Sequence, residues 1–241
     1  IIKQLNKIDC YKLACDIPSG INKQGQLSPI CFQANTTITM GALKKSLFTD
    51  NVKQYIGKIK VANLGIQREV YENNSNYFLL NKKDMILPIR NNKISNKGSF
   101  GHLSVICGEK QGASLIAAEA GFAFGCGLIT AINKKPIKKI KNSIMQNNKL
   151  PKNTSAICVG MGLGAKIKLK QLDNTIPKVI DADLFYNTKI LKLLNQDNIV
   201  LTPHPKEFCS LLKLCDIDTI DIQTLQNNRF YYIEQFSKKY P

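Results

Sequence analysis

The sequence predicts an α/β fold, with parallel sheets flanked by helices on both sides and divided between two successive domains. Three observations carry this reading. Short apolar or β-branched runs alternate with helix-forming runs, as parallel strands and their crossover helices do. A polar stretch, "YENNSNYFLLNKKDMILPIRNNKISNKGSFG" (residues 71–101), interrupts the alternation without sustained helical periodicity, as a linker does. Residues able to do chemistry gather just past the predicted strands, the edge at which open α/β sheets bind ligands.

Before the linker, "KLACDI", "NTTITMG" and "IGKIKVANLGI" read as strands, rich in apolar or β-branched side chains. After it, "HLSVICG" is a short strand ending in Gly. "GASLIAAEAGFAFG" is a strong helix former with Ala on every side, which predicts burial on both faces. "GLITAI" is the next strand, and "TSAICVGMGLG" is a strand running into a Gly-rich turn. "PKVIDAD" and "NIVLTPHP" are two more strands ending in polar residues. "KEFCSLLKL" begins a helix after Pro205, whose missing N–H costs nothing in a first helical turn. The expected division is residues 1–78 and 79–241.

At 241 residues and 44% hydrophobic content, the chain suits two moderate packed domains and excludes disorder. The net charge is +17, which fits either an anionic partner or a general Lys/Asn/Ile bias. Of the 34 basic side chains only Arg68, Arg90 and Arg229 are Arg. Nucleic-acid surfaces favour the planar Arg fork, so no nucleic-acid partner is expected, while steering of a phosphorylated small molecule stays open. The eight Cys form no CxxC pair and mostly lie in apolar runs. They read as small buried thiols of a reducing compartment, expected to be the cytoplasm. The longest apolar stretch, Ser114 to Ile132, contains Glu119, Gly125 and Gly127. It reads as a buried helix followed by a buried strand, not a membrane span.

Four motifs sit at predicted strand ends. In "DIPSG", Asp16 is either a carboxylate on a fixed backbone, with Ser19 oxygens as hard ligands for a cation, or a turn former bonding N–H groups two residues on. "GMGLG" (Gly160 to Gly164) is either a tight turn or a loop whose N–H groups approach a phosphate or flat ring. The glycines around "HLSVICGEKQGAS" bring Gly112 and Ala113 to a helix start, which is an anion-attracting place or a plain βα turn. His204, fixed between Pro203 and Pro205, is either a ligand contact or a capping residue.

Taken in order, these motifs resemble one family, the bifunctional NAD(P)H-hydrate repair enzymes, which join an epimerase domain to an ADP- or ATP-dependent dehydratase domain. "CDIPSGIN", "ANTTITMGALKKSL" and "IGKIKVANLGI" resemble the epimerase over residues 13–66. "NKGSFGHLSVICG", "GASLIAAEAGFAFGCGLIT", "CVGMGLG", "VIDAD" and "LTPHPKEF" resemble the dehydratase over residues 87–215. The resemblance implies the C-terminal half of a Rossmann-like epimerase domain, followed by a partial ribokinase-like α/β domain. The strand before Asp16 is then an internal strand of its sheet.

The implied chemistry is repair of hydrated NADH and NADPH. One activity interconverts the epimers, and the other dehydrates one of them by phosphorylating the ring hydroxyl and eliminating phosphate. The resemblance implies substrate contacts at Asp16, Ala113, Gly162 and His204, and potassium at Ser19. It also implies ADP or ATP as co-substrate, Mg²⁺ at the transferring phosphoryl, and a homo-oligomer. The family's catalytic Asp, in a GTGD-like motif, is expected beyond Pro241, so the chain reads as truncated at both ends. Departures from the family pattern fall at Met161 (Pro in GPGLG), Lys206 (Gly in HPGE), Asn96 (His) and Tyr186 or Asn187 (Asn). Two other readings stay open: a different ribokinase-like kinase acting on a vitamin precursor, and a nucleotide-binding remnant without turnover.

Overall fold

The protein was analysed as a computed structural model, which describes residues 1–71, 75–164, 172 and 175–241. Residues 72–74, inside the expected linker, lie outside the described set. The chain divides into two compact units, one of residues 1–85 and 222–235, the other of residues 86–221 and 236–241.

The first unit holds a three-stranded parallel sheet of β1 (Leu13–Cys15), β2 (Thr36–Met40) and β3 (Lys58–Ala62), in the order β1-β2-β3. All three strands were expected. β1 is an edge here, since among the described residues no strand pairs with its outer side. The consequence shows in Leu13 and Cys15, which are exposed while Ala14 between them is buried, the alternation of a strand covered on one face. Ile21, Cys31, Leu47, Val52 and Ile56 form this unit's apolar cluster.

The second unit is a six-stranded, all-parallel sheet in the order β6-β5-β4-β7-β8-β9. Its strands are β4 (His102–Ile106), β5 (Leu128–Ile132), β6 (Met145–Asn147), β7 (Ala156–Val159), β8 (Lys178–Ile180) and β9 (Ile199–Leu201). The sequence reading missed β6, whose three exposed residues carry no apolar signal. Helix α1 (Gln111–Ala123) crosses between β4 and β5, and α2 (Pro205–Leu214) follows β9. Pro205 occupies the first turn of α2 as expected.

Two-sided burial holds at the centre of this sheet and fails at one end. β5 is buried from Ile129 to Ile132, as a strand between two covered faces should be. On β8 and β9, Val179 and Val200 are exposed at 37% and 57%. The expected burial of α1 on both faces also fails. Ser114 and Ala118 are buried, whereas Ile116 is 71% exposed. Ala removes the contrast between helix faces, so the sequence could not reveal that only one of them meets the sheet. Ala118 packs with Val105, Ile129, Ala131, Ile137, Ile144 and Met161. Burying a side chain such as Ile129 contributes roughly 1.5–3 kcal/mol.

The thiols also depart from expectation. Cys31, Cys107 and Cys215 are buried, but Cys10 and Cys15 are exposed, and none of the eight is paired. Cys10 lies between elements, and Cys15 faces away from the core of an edge strand. Desolvation pushes the Cys107 and Cys158 thiols up to about 11. Among the described residues no helix is long and apolar enough to cross a membrane. The Ser114–Ile132 stretch is instead α1 followed by β5.

Candidate functional sites

In the second unit, the loops after β4, β7, β8 and β9 meet at the carboxyl edge of adjacent strands. The "GMGLG" loop is stitched to the loop after β4. The Lys110 N–H donates to the Gly162 carbonyl at 3.0 Å, and the Ser114 hydroxyl donates to the Met161 carbonyl at 2.8 Å. It is stitched to "VIDAD" as well. The Gly164 N–H donates to Asp183 Oδ2 at 3.0 Å, and the Asp183 N–H donates to the Gly160 carbonyl at 3.2 Å. The Thr202 hydroxyl then ties β9 to Asp181 Oδ1 at 3.0 Å.

Glycine is required in this stitching. Gly160 has φ +130°, and a Cβ there would stand 1.7 Å from the Asp181 carbonyl oxygen. Gly162 has φ +60°, and its Cβ would stand 2.1 Å from the Lys110 carbonyl oxygen. Both conformations are ones that side-chain-bearing residues rarely adopt. The result is a close-packed join of three loops, in which glycine makes room for the neighbouring backbone.

The other expected residues fall around this edge. Ala113 is exposed in the first turn of α1, where backbone N–H groups have no intrahelical partner. His204 is the N-cap of α2. Its Nδ1 accepts from the Glu207 N–H at 3.4 Å, and its Nε2 lies 3.0 Å from Glu207 Oε1. Glu207 Oε2 in turn accepts from the His204 N–H at 2.9 Å. This reciprocal pair is a capping box. Glu207, three residues beyond the cap, was the readable signal for it, and the sequence reading did not use it. His204 is exposed, so its ring is reachable from solvent.

The departures from the family pattern have structural explanations. Met161 turns its side chain into the core and is 6% exposed. Lys206 is exposed on the first turn of α2. Asn96 caps a short 3₁₀ turn by accepting from the Gly98 N–H. Tyr186 is half exposed, and Asn187 accepts from the Lys189 N–H.

The first unit places Asp16 immediately after β1 with φ +67°. The turn-former alternative fails on chemistry, because two residues on stands Pro18, which has no N–H. The carboxylate reaches across to the end of β2 instead. Oδ1 accepts from Lys44 Nζ at 2.7 Å, from the Met40 N–H at 3.0 Å and from the Thr39 hydroxyl at 3.3 Å. The Lys44 hydrogen bond, with the Met40 N–H, holds the Asp16 carboxyl below its ordinary value despite some burial. Lys44 and Thr39 lie in the stretch "ANTTITMGALKKSL", but nothing in their spacing shows that they meet Asp16. Ser19 is exposed, three residues beyond it.

Potassium takes hydroxyl and carbonyl oxygens, of which the exposed Ser19 hydroxyl is one. Among the described residues no group of three or more His, Cys, Asp or Glu comes together to hold a metal. The carboxylates of the second unit stitch loops, and Ser19 is a single hydroxyl rather than a cage.

Comparison with known proteins gives the following matches. A family model described as NAD(P)H-hydrate dehydratase matches residues 103–241, and one described as YjeF-related protein N-terminus matches residues 1–46. The bifunctional NAD(P)H-hydrate repair enzyme Nnr of Helicobacter pylori is 39% identical over 241 residues, covering 96% of this chain and 50% of that protein. The enzymes of the same name from Coxiella burnetii and Vibrio cholerae are 31% and 26% identical, each covering 100% of this chain and 52% of theirs. The chain therefore spans about half the length of the curated relatives it matches. With a match running over more than half of its residues, through every loop of the stitched edge, the chain belongs to the NAD(P)H-hydrate dehydratase family.

Proposed function

We propose that the protein acts in repair of hydrated NADH and NADPH, with the second unit binding the hydrated nucleotide for nucleotide-dependent dehydration and the first unit taking part in epimerisation. The observation that carries this reading is the stitched backbone edge. Gly160, Gly162 and Gly164 close against the loops after β4 and β8, on the strand ends where the family match lies.

The chain's own residues have three tasks in this reading. The glycine loop and the first turn of α1, at Ala113, offer backbone N–H groups to the substrate in a fixed geometry. His204 contacts the hydrated nucleotide through a ring nitrogen that it shares with Glu207 in the capping box. In the first unit, Asp16 offers a carboxylate to the same substrate. ADP or ATP would supply the phosphoryl group that turns the ring hydroxyl into a good leaving group. Potassium at Ser19 and Mg²⁺ at the transferring phosphoryl belong to this reading too. The eight unpaired thiols favour a reducing compartment such as the cytoplasm. The partners in this reading are small molecules and a second copy of the chain, and the Lys-rich basic composition does not favour nucleic acid.

The test is an assay of the full-length protein with the two epimers of hydrated NADH supplied separately, in the presence of ADP or ATP. Recovery of NADH absorbance from both epimers is expected. Asp16→Asn should abolish recovery from the epimer that the dehydratase cannot use and leave the other nearly intact. No recovery from either epimer by the unaltered protein would overturn the reading.

A further inference from the structure

The Asp16 carboxylate is held by one oxygen only. Lys44 and the Met40 N–H converge on Oδ1, and the Thr39 hydroxyl shares its one proton between Oδ1 at 3.3 Å and the Ala42 carbonyl at 3.2 Å. Oδ2 has no partner among the described residues, and the side chain is 45% exposed. The Lys44 ammonium is fully engaged, although its side chain is partly exposed. It also reaches the Met40 carbonyl at 2.8 Å, Thr39 Oγ1 at 3.1 Å and the Ala42 carbonyl at 3.4 Å. An ammonium has three protons, so this set leaves it none for a ligand. It is the charged group in contact with Asp16, and the remaining contacts, Thr39 and Met40, are uncharged.

A surface ion pair formed for stability alone has no need of such an arrangement, since exposed pairs contribute little. Here a non-Gly residue is kept at φ +67°, a conformation that side-chain-bearing residues adopt infrequently. The carboxylate is then clamped at three points on one side and open on the other. We propose that Lys44 is a positioning residue. It locks Asp16 Oδ1 to the end of β2, so that Oδ2 alone faces the ligand and accepts from an uncharged hydroxyl of the hydrated nucleotide. A phosphate is unsuited to this position, because the open oxygen carries negative charge and the neighbouring ammonium is already engaged. The inference deepens the epimerase reading and rests on it for the identity of the ligand.

The test uses Lys44→Met and Lys44→Gln, with Lys44→Arg as the conservative variant. Two readouts are followed: titration of the ¹³C-labelled Asp16 carboxyl in the free protein, and affinity for hydrated NADH read from the shift of the Met40 amide, which reports the first unit's site alone. Both neutral variants should raise the Asp16 titration toward its ordinary value. They should weaken binding about three- to tenfold, the loss of one well-placed hydrogen bond. Lys44→Arg should keep the titration low and restore most of the affinity. An unmoved titration in whichever neutral variant folds, or unchanged affinity despite a moved titration, would overturn the inference. If the unaltered protein binds no hydrated NADH while the titrations behave as expected, the epimerase reading fails and the clamp stands.

Discussion

Two strand ends in this molecule carry carboxylates, and they are built in opposite ways. After β1, the strain lies in Asp16 itself, at φ +67°, and three donors including an ammonium converge on one of its oxygens. After β8, Asp181 is extended, with one neutral donor on its carboxylate, and Asp183 likewise takes a single N–H. The unusual backbone there lies in Ala182 between them, at φ +49°, and in Gly160 and Gly162 of the facing loop. In the proposed reading the first unit makes its site from a fixed side chain, and the second makes its site from a fixed backbone. A carboxylate just past a parallel strand is the same sequence signal in both places. The partner set decides whether it serves a ligand or holds a loop.

The largest effect should come from a side chain in the backbone-built site. Gly160→Ala drives a Cβ to within 1.7 Å of the Asp181 carbonyl oxygen at φ +130°, so backbone must move. A loss of about 3 kcal/mol of stability is expected, read as a lower urea midpoint of the second unit. A variant as stable as the parent would show that the loop is loosely held and break the comparison.

Asp183→Ala removes the acceptor for the Gly164 N–H and should cost about 1 kcal/mol. Faster hydrogen exchange is expected at Gly164, with no change at Met40. His204→Ala should cost about 1 kcal/mol through loss of the cap on α2, seen as a lower urea midpoint. The same substitution should weaken hydrated-nucleotide binding about three- to tenfold. Loss of stability with unchanged affinity would leave His204 a capping residue only.

The smallest effect should be the acid dependence of the Asp16–Lys44 pair. The folded Asp16 value lies below its ordinary 3.8. Its contribution is therefore complete above the unfolded value and is lost as pH falls through the lowered folded one. Lys44→Met should lower stability near neutral pH by that small contribution and leave it unchanged below the folded Asp16 value, which flattens the acid limb. The thiols provide a separate check on the exposed face of β1. Cys10 and Cys15 should react with a maleimide well before Cys107 and Cys158, whose thiols burial holds near 11.

The backbone-built site was more legible in the sequence than the side-chain-built one. Gly160, Gly162 and Gly164 declare themselves by spacing, and β7, β8 and β9 by their apolar runs. Their stitching follows from adjacency in a parallel sheet. Lys44 could not be found in the same way. It stands 28 residues from Asp16, and their meeting depends on the register that sets Cys15 opposite Ile38. β6 escaped because an exposed edge strand needs no apolar pattern. The outer face of α1 was misread because Ala suits a buried and an exposed helix face equally well.

The central claim is that the two units hold separate sites, one made by a side chain and one by backbone. Mapping amide shifts as hydrated NADPH is titrated into the ¹⁵N-labelled protein tests it most directly. Two sets of amides should respond, Gly108, Lys110, Ala113, Gly162 and Gly164 in one and Asp16 with Met40 in the other. Asp16→Asn should silence only the second set, and Gly162→Ala only the first. Shifts confined to scattered lysine-rich surface, or both sets lost together in Asp16→Asn while the fold is kept, would contradict the account.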